Sequence, residues 1–304
     1  MAWTQRSFRV TGLLLAVLLG AFPAAARTLG SLQIELWTAD RGLPHNTVLA
    51  LAQTRDGYLW IGTWEGLLRF DGSRFSEPLA LPASLKQTGI QALASDPHGG
   101  LWVGAQGGGV YRLHRGRWQT LSQPGGPLRG HVVALLPLGG ERLYIGTSDG
   151  VLGLFEGERF RRVSVDGATP RLISGLAQSL DGRVLACGDT GLIQLEGERG
   201  RSLPVRWPHD PPQIQRLQPR RAGGFWLPTL AGLHSLDGDL LTPQRVGPAA
   251  PISRVLEDAQ GQLWLGADPQ RLLRLDGDRV EALERRDGLP SGRIAAILGD
   301  HEGN

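Results

Sequence analysis

Side chains able to hydrogen-bond and stack recur in this chain directly after one returning apolar motif. Trp64 and Glu65 follow Trp60-Ile-Gly-Thr63, and Gln106 follows Trp102-Val-Gly-Ala105. Asp149 comes two residues after Tyr144-Ile-Gly-Thr147, and Asp189 follows Leu185-Ala-Cys-Gly188. His45 with Asn46, and His131, sit just before apolar runs that open with Val48 and Val132. An indole, amides, imidazoles and carboxylates gathered by rigid loops suit a sugar or another flat polar ligand, the indole stacking and the polar groups fixing orientation. Each residue also has a plainer role. Trp64 either offers that platform or packs on a neighbouring loop, His45 and His131 are either ligands or surface histidines, and Asn46 either binds or caps a turn. Carboxylates at Glu65, Asp149, Asp189 and Asp268 could face one another, but a shared location is thin support for paired acid–base roles. The chain has no Gly-x-Ser-x-Gly elbow, no His-Glu-x-x-His, no Walker sequence and no cysteine pair, so no catalytic residue, metal or cofactor is assigned. Gly107-Gly-Gly109 precedes a strand, not a helix, and reads as a bare turn.

The elements that position these residues are set by a repeat. Trp60, Trp102, Tyr144, Leu185, Trp226 and Trp264 occupy equivalent places at intervals of 42, 42, 41, 41 and 38 residues. A period near forty with strand-length runs between glycine turns is the signature of β-propeller blades. The first repeat shows four runs: 47–54, 58–63, 67–70 and 73–76, with Asp56-Gly57 and Asp71-Gly72 between them. Asp-Gly supplies the positive φ of tight hairpins. The second such turn returns as Arg115-Gly116, Glu156-Gly157, Glu196-Gly197, Asp237-Gly238 and Asp276-Gly277. Each blade is therefore expected to be a four-stranded antiparallel meander. The large aromatics Trp60, Trp102 and Trp264 should fill the wedges between blades, and Gly62, Gly104, Gly146 and Gly266 should admit close backbone approach. Pro228 holds that glycine's place in the fifth repeat and predicts a locally distorted strand. In such a meander the turn between strands two and three shares a rim with the connection entering a blade. That rim collects His45, Asn46, Trp64, Glu65, Gln106, His131, Asp149 and Asp189, the candidate ligand-binding set.

The ends predict how the ring closes. Pro44 and Pro290 stand in matching Gly-Leu-Pro segments 246 residues apart, six periods of 41. Leu32-Gln-Ile-Glu-Leu-Trp37 reads as an outer strand without its own blade, and Arg293-Ile-Ala-Ala-Ile-Leu-Gly299 as an inner strand. The expectation is a seven-bladed, all-β propeller, truncated here to six full blades plus a partial seventh shared by N- and C-terminal strands. Its next motif tryptophan would fall at about position 306, beyond Asn304.

Composition agrees with an ordered, exported domain. Gly 44 and Pro 20 fall at regular turn positions, while Trp 9 and 41% hydrophobic residues supply a core. Arg6 and Arg9 precede an apolar run from Val10 to Leu19, and Ala24-Ala-Ala26 offers a cleavage site, so residues 1–26 read as a secretory signal peptide and 27–304 as the propeller. Without Arg6 and Arg9 the balance is 30 basic (32 less two) against 29 acidic side chains, and no basic stripe suggests a nucleic-acid partner. Cys187, the only cysteine, excludes an internal disulfide and reads as a small buried apolar residue.

Gly42-Leu-Pro-His-Asn-Thr-Val48, Asp56-Gly-Tyr-Leu-Trp-Ile-Gly-Thr63 and Gly66-Leu-Leu-Arg-Phe-Asp71 together resemble the two-component regulator propeller repeat. The likeness runs from about residue 31 to the end, strong in repeats one, two and six and degenerate in four and five. It implies a periplasmic sensor propeller of a membrane-bound receptor, with a β-sandwich, a membrane helix and a histidine kinase or diguanylate cyclase output downstream. It implies a small-molecule or oligosaccharide ligand and allows a homodimer through the full-length receptor. Similar repeats also occur in streptogramin lyases, which use a metal and a histidine base. His45, His131 and His234 would be the residues to consider for that alternative, though they form no evident cluster. A scaffold binding another protein through its rim is the third reading.

Overall fold

The computed structural model describes residues 17–18, 29, 33–96, 98–205, 207, 213–247 and 250–301. Apart from Val17–Leu18, the expected signal peptide lies outside them. Six antiparallel meanders follow one another in chain order. Blade 1 comprises Val48–Gln53, Leu59–Thr63, Gly66–Phe70 and Phe75–Ser76. Blade 2 comprises Ile90–Ser95, Leu101–Ala105, Val110–His114 and Arg117–Ser122. Blade 3 comprises Val132–Gly139, Arg142–Thr147, Leu152–Glu156 and Arg159–Arg162. Blade 4 comprises Ile173–Gln178, Val184–Gly188, Gly191–Glu196 and Arg199–Leu203. Blade 5 comprises Gln218–Pro219, Phe225–Thr229, Gly232–Asp237 and Leu240–Pro243. Blade 6 comprises Ile252–Glu257, Leu263–Ala267, Arg271–Asp276 and Arg279–Leu283. All six outer-turn glycines, from Gly72 to Gly277, take the positive φ their turns require.

Two departures from regular meanders are local. Ser164–Asp166, in the connection from blade 3 to blade 4, pairs parallel with Arg199–Leu203 and makes blade 4 five-stranded. Around Pro228 the second strand itself stays continuous and paired to Gly232–Asp237. Its first-strand ladder is what breaks, leaving Gln218–Pro219 and a bridge from Ile214 to Thr229. A proline cannot donate to a ladder, so the distortion falls on the partner strand.

The core sits between blades, one cluster per wedge. Trp60 packs with Ile90 and Val103, Trp102 with Val132 and Phe155, and Tyr144 with Ile173 and Ile193. Leu185 meets Phe225 and Leu227, and Trp226 meets Ile252 and Leu273. A buried tryptophan removes roughly 200 Å² from water, about 5 kcal/mol each. Trp60 and Trp102 are core residues as expected, at 3% and 2% exposure. Trp264 is only half-buried, packed at the edge of Leu29, Leu272, Leu289 and Ile294.

Close approach at the motif glycines has a specific form. Every complete inner strand shifts register after its first residue, as between Val48 and Ala50. The glycine of strand two then receives the first inner-strand residue of the next blade. A Cβ on Gly62 would lie 2.7 Å from Ile90 Cγ2, and one on Gly146 would lie 2.3 Å from Ile173 Cγ2. Blade 4 exchanges the small residue across its ladder. Cys187 replaces the glycine, and its partner is Gly175 where blades 1 to 3 carry alanine. Cys187 is fully buried, and burial pushes its thiol up to about 12, as suits an inert core residue.

Ile294 fills the slot at Gly266, whose Cβ would lie 3.0 Å from Ile294 Cβ. Ser253 Oγ lies 2.9 Å from the Ile294 carbonyl, as Ser174 Oγ lies 2.8 Å from that of Ile214. The ends also meet, because His301 N donates to Gln53 Oε1 at 2.8 Å. A seventh four-stranded blade is nevertheless not formed among the described residues. Gln33–Ile34 pairs only with Val17–Leu18, and 293–300 form no ladder.

Candidate functional site

One backbone hydrogen bond recurs in all six blades and builds the rim. The residue just after strand two donates to the carbonyl just before strand one of the same blade, or, in blade 5, just before the Ile214 bridge. The pairs are Trp64 with Thr47, Gln106 with Gly89, Ser148 with His131, Asp189 with Leu172, Leu230 with Gln213 and Asp268 with Pro251, at 2.9 to 3.3 Å. These bonds set the turn between strands two and three against the blade entry, and the eight candidate residues sit in or beside those turns and entries.

Their side chains divide into two groups. Asn46 Oδ1 accepts from Ala39 N at 2.7 Å, pinning the 3-10 turn Ala39–Arg41. His45 Nδ1 accepts from Thr47 N at 2.9 Å. Asp149 Oδ1 accepts from Thr147 Oγ1 at 2.5 Å, and Asp189 Oδ1 accepts from Arg171 N and Leu172 N at 3.0 and 3.1 Å. These four hold their own loops. His131 Nδ1 accepts from Gly107 N at 3.2 Å, which joins it to the turn after Gln106 in the preceding blade. Gln106 itself packs over Gly89, where a Cβ would meet its amide at 2.5 Å. Trp64, 47% exposed, and the exposed Glu65 remain as a side-chain pair turned to solvent.

Gly107-Gly-Gly109 is more than a bare turn. Gln106–Gly108 forms a 3-10 turn with Gly108 buried, and a Cβ there would lie 1.9 Å from the Leu128 carbonyl. Only glycine fits, so this turn is locked by packing.

The histidines named for a lyase-like reading are apart in role. His45 and His131 cap backbone amides, while His234 is buried edge-on to Trp207 with ring centroids 5.4 Å apart. Burial lowers the His234 pKa, so its ring is neutral near pH 7. Among the described residues no group of three or more His, Cys, Asp or Glu side chains could hold a metal ion. The residues missed at the sequence level are arginines. Arg216, Arg254 and Arg293 come together on the channel side of this rim. Their signal was a large cation at Arg254, where blades 1 to 3 place alanine in the equivalent ladder position.

Comparison with known proteins adds the repeat and the fold. The family model described as two component regulator propeller matches residues 42–65, so the chain carries such a repeat. No curated protein matches the chain. The extracellular domain of the one component system BT4673 from B. thetaiotaomicron is similar at TM-score 0.70 and 17% identity, over 85% of this chain and 36% of that one. The extracellular domain of the hybrid two component system BT3049 from B. thetaiotaomicron gives 0.66 and 19%, over 84% and 37%. A streptogramin B lyase gives 0.69 and 11%, over 86% and 90%. This chain thus spans little more than a third of the two extracellular domains. At these identities the likeness is one of fold. Among the described residues no helix is long and apolar enough to cross a membrane.

Proposed function

We propose that this chain is the ligand-sensing propeller of a periplasmic or extracellular signal receptor, with membrane and output modules elsewhere in the full-length protein. The observation that carries the reading is where the repeat match falls. Residues 42–65 run from the blade entry holding His45 and Asn46 to the exposed Trp64 and Glu65. The similarity to extracellular domains of one- and two-component systems supports the same reading. The ligand is a small molecule or oligosaccharide whose flat face stacks on Trp64 and whose hydroxyls meet Glu65, Gln106 and His131. A ring closed by a blade shared between the two ends is part of this proposal. It is supported by Ile294 in the Gly266 slot and by the contact from His301 to Gln53.

The test is thermal-shift screening of the chain against oligosaccharides and small metabolites, repeated with Trp64→Ala. A ligand that stabilises the parent and not the variant supports the rim assignment. A ligand whose effect survives Trp64→Ala and Glu65→Gln overturns it. Metal-dependent turnover of a bound compound would instead favour a lyase.

A further inference from the structure

The first inner-strand residues stand around a common axis, and three arginines from successive positions reach over it. Arg216, on the inner side of blade 5, places Nη1 3.5 Å from the Val133 carbonyl of blade 3, passing the whole of blade 4. Gly175 makes room for it, since a Cβ there would lie 3.2 Å from Arg216 Cα. Arg293, just before Ile294, donates from Nη2 to Gln215 Oε1 of blade 5 at 2.6 Å, passing blade 6. Arg254, on blade 6 between them, donates from Nε to the Ala295 carbonyl at 2.5 Å and from Nη1 to the Ser253 carbonyl at 2.6 Å. A span that skips a blade is open only to a side chain crossing the channel.

None of the three forms an ion pair among the described residues, although arginines elsewhere do, as Arg112 does with Asp96 and Glu141. Arg216 and Arg254 keep part of their surface open while protein surrounds the rest, and Arg293 is exposed. Burial first, and then the charges of Arg216 and Arg293, hold the Arg254 pKa well below the usual guanidinium value. Crowded, partly desolvated like charges without a counter-charge are costly, and such a site gains by taking up an anion. Geometry allows it. Nη2 of Arg216, Nη2 of Arg254 and Nη1 of Arg293 have no protein acceptor among the described residues, and guanidinium forks match the paired oxygens of a carboxylate, phosphate or sulfate.

We propose that Arg216, Arg254 and Arg293 form an oxyanion-binding site at the channel mouth, which takes one carboxylate, phosphate or sulfate group. The proposal goes beyond the signalling reading and does not depend on Trp64.

The test is thermal melting of the 304-residue chain in sodium sulfate, phosphate or glucuronate against sodium chloride at matched ionic strength. At an anion concentration a hundredfold above Kd, the expected rise in Tm is on the order of 5 °C. Sulfate and phosphate acting without glucuronate assigns a tetrahedral group; the reverse assigns a carboxylate. Arg254→Met should abolish the rise and, in chloride alone, melt higher than the parent because a crowded charge is gone. Arg216→Met is the second variant should the first fail to fold. The proposal is overturned if no oxyanion exceeds chloride, or if the full rise persists in both variants.

Discussion

Replacing Gly146 with alanine sets a new Cβ 2.3 Å from Ile173 Cγ2 and 2.9 Å from Ile173 Cβ. Both distances are inside van der Waals contact, so either blade 4 moves outward or the Ile173 side chain leaves its wedge. Overpacking of this kind costs about 1–3 kcal/mol. Alanine restricts the unfolded chain and returns about 0.4–1 kcal/mol of that, so a net loss of about 1–2 kcal/mol is expected. Ile173→Ala alone empties a fully buried site, at about 2–5 kcal/mol. If the two residues meet as slot and peg, the double variant loses less than the sum, by about 1–2 kcal/mol. Urea unfolding of the four proteins, followed by tryptophan fluorescence with m compared across them, measures the coupling directly. Additivity to within about 0.5 kcal/mol would show that the glycine is not selected by the next blade, and the account of blade spacing would fail.

Other expectations are shorter to state. Cys187 should resist Ellman's reagent at pH 8 in the folded chain and react fully in urea, since its thiol is pushed up to about 12 and is buried; rapid labelling of the native protein would contradict this. Asp96 has a lowered pKa because amide bonds from Gly100 and His98 and the Arg112 guanidinium outweigh an opposing burial effect. Its contribution to stability is therefore present above the ordinary aspartate value of 3.8 and is lost as pH falls through its folded value; Asp96→Asn should flatten the acid side of a stability–pH curve. Trp64→Ala should change stability by less than about 0.5 kcal/mol, because the indole is exposed, while removing any rim-ligand effect in thermal shift.

Much of the architecture was legible because it is written in residues whose job is local. Gly72 and its equivalents must adopt positive φ, and Trp60 and Trp102 must leave water, so turn and wedge recur with the period. The rim was legible for the same reason, since strand alternation alone sends the turn after Thr63 to the side where Thr47 enters. What escaped depended on contacts that the repeat period does not carry. Trp264 looks like the other motif tryptophans but is half-buried, because no sheet covers it among the described residues. Ser164–Asp166 pairs with a strand more than thirty residues later, and nothing in its own sequence announces that. Asn46, Asp149 and Asp189 have the chemistry of ligand-binding side chains, yet they hold their own loops in hydrogen bonds that only geometry reveals. Nothing in the sequence beside Arg216 or Arg254 announces that the ring sets the two charges side by side.

The glycine slots all face the same way round the ring. Gly62 waits for Ile90, Gly104 for Val132, Gly146 for Ile173 and Gly266 for Ile294, always a residue of the following blade. Dependence therefore runs from later chain to earlier chain. As the polypeptide leaves the ribosome amino end first, each blade is complete in its own hydrogen bonds while its slot stays vacant until the start of the next repeat emerges. A substitution at Ile173 is accordingly felt in blade 3 as well as in its own blade 4, and a pause in translation after one of the first three blades leaves Trp60, Trp102 or Tyr144 exposed to water.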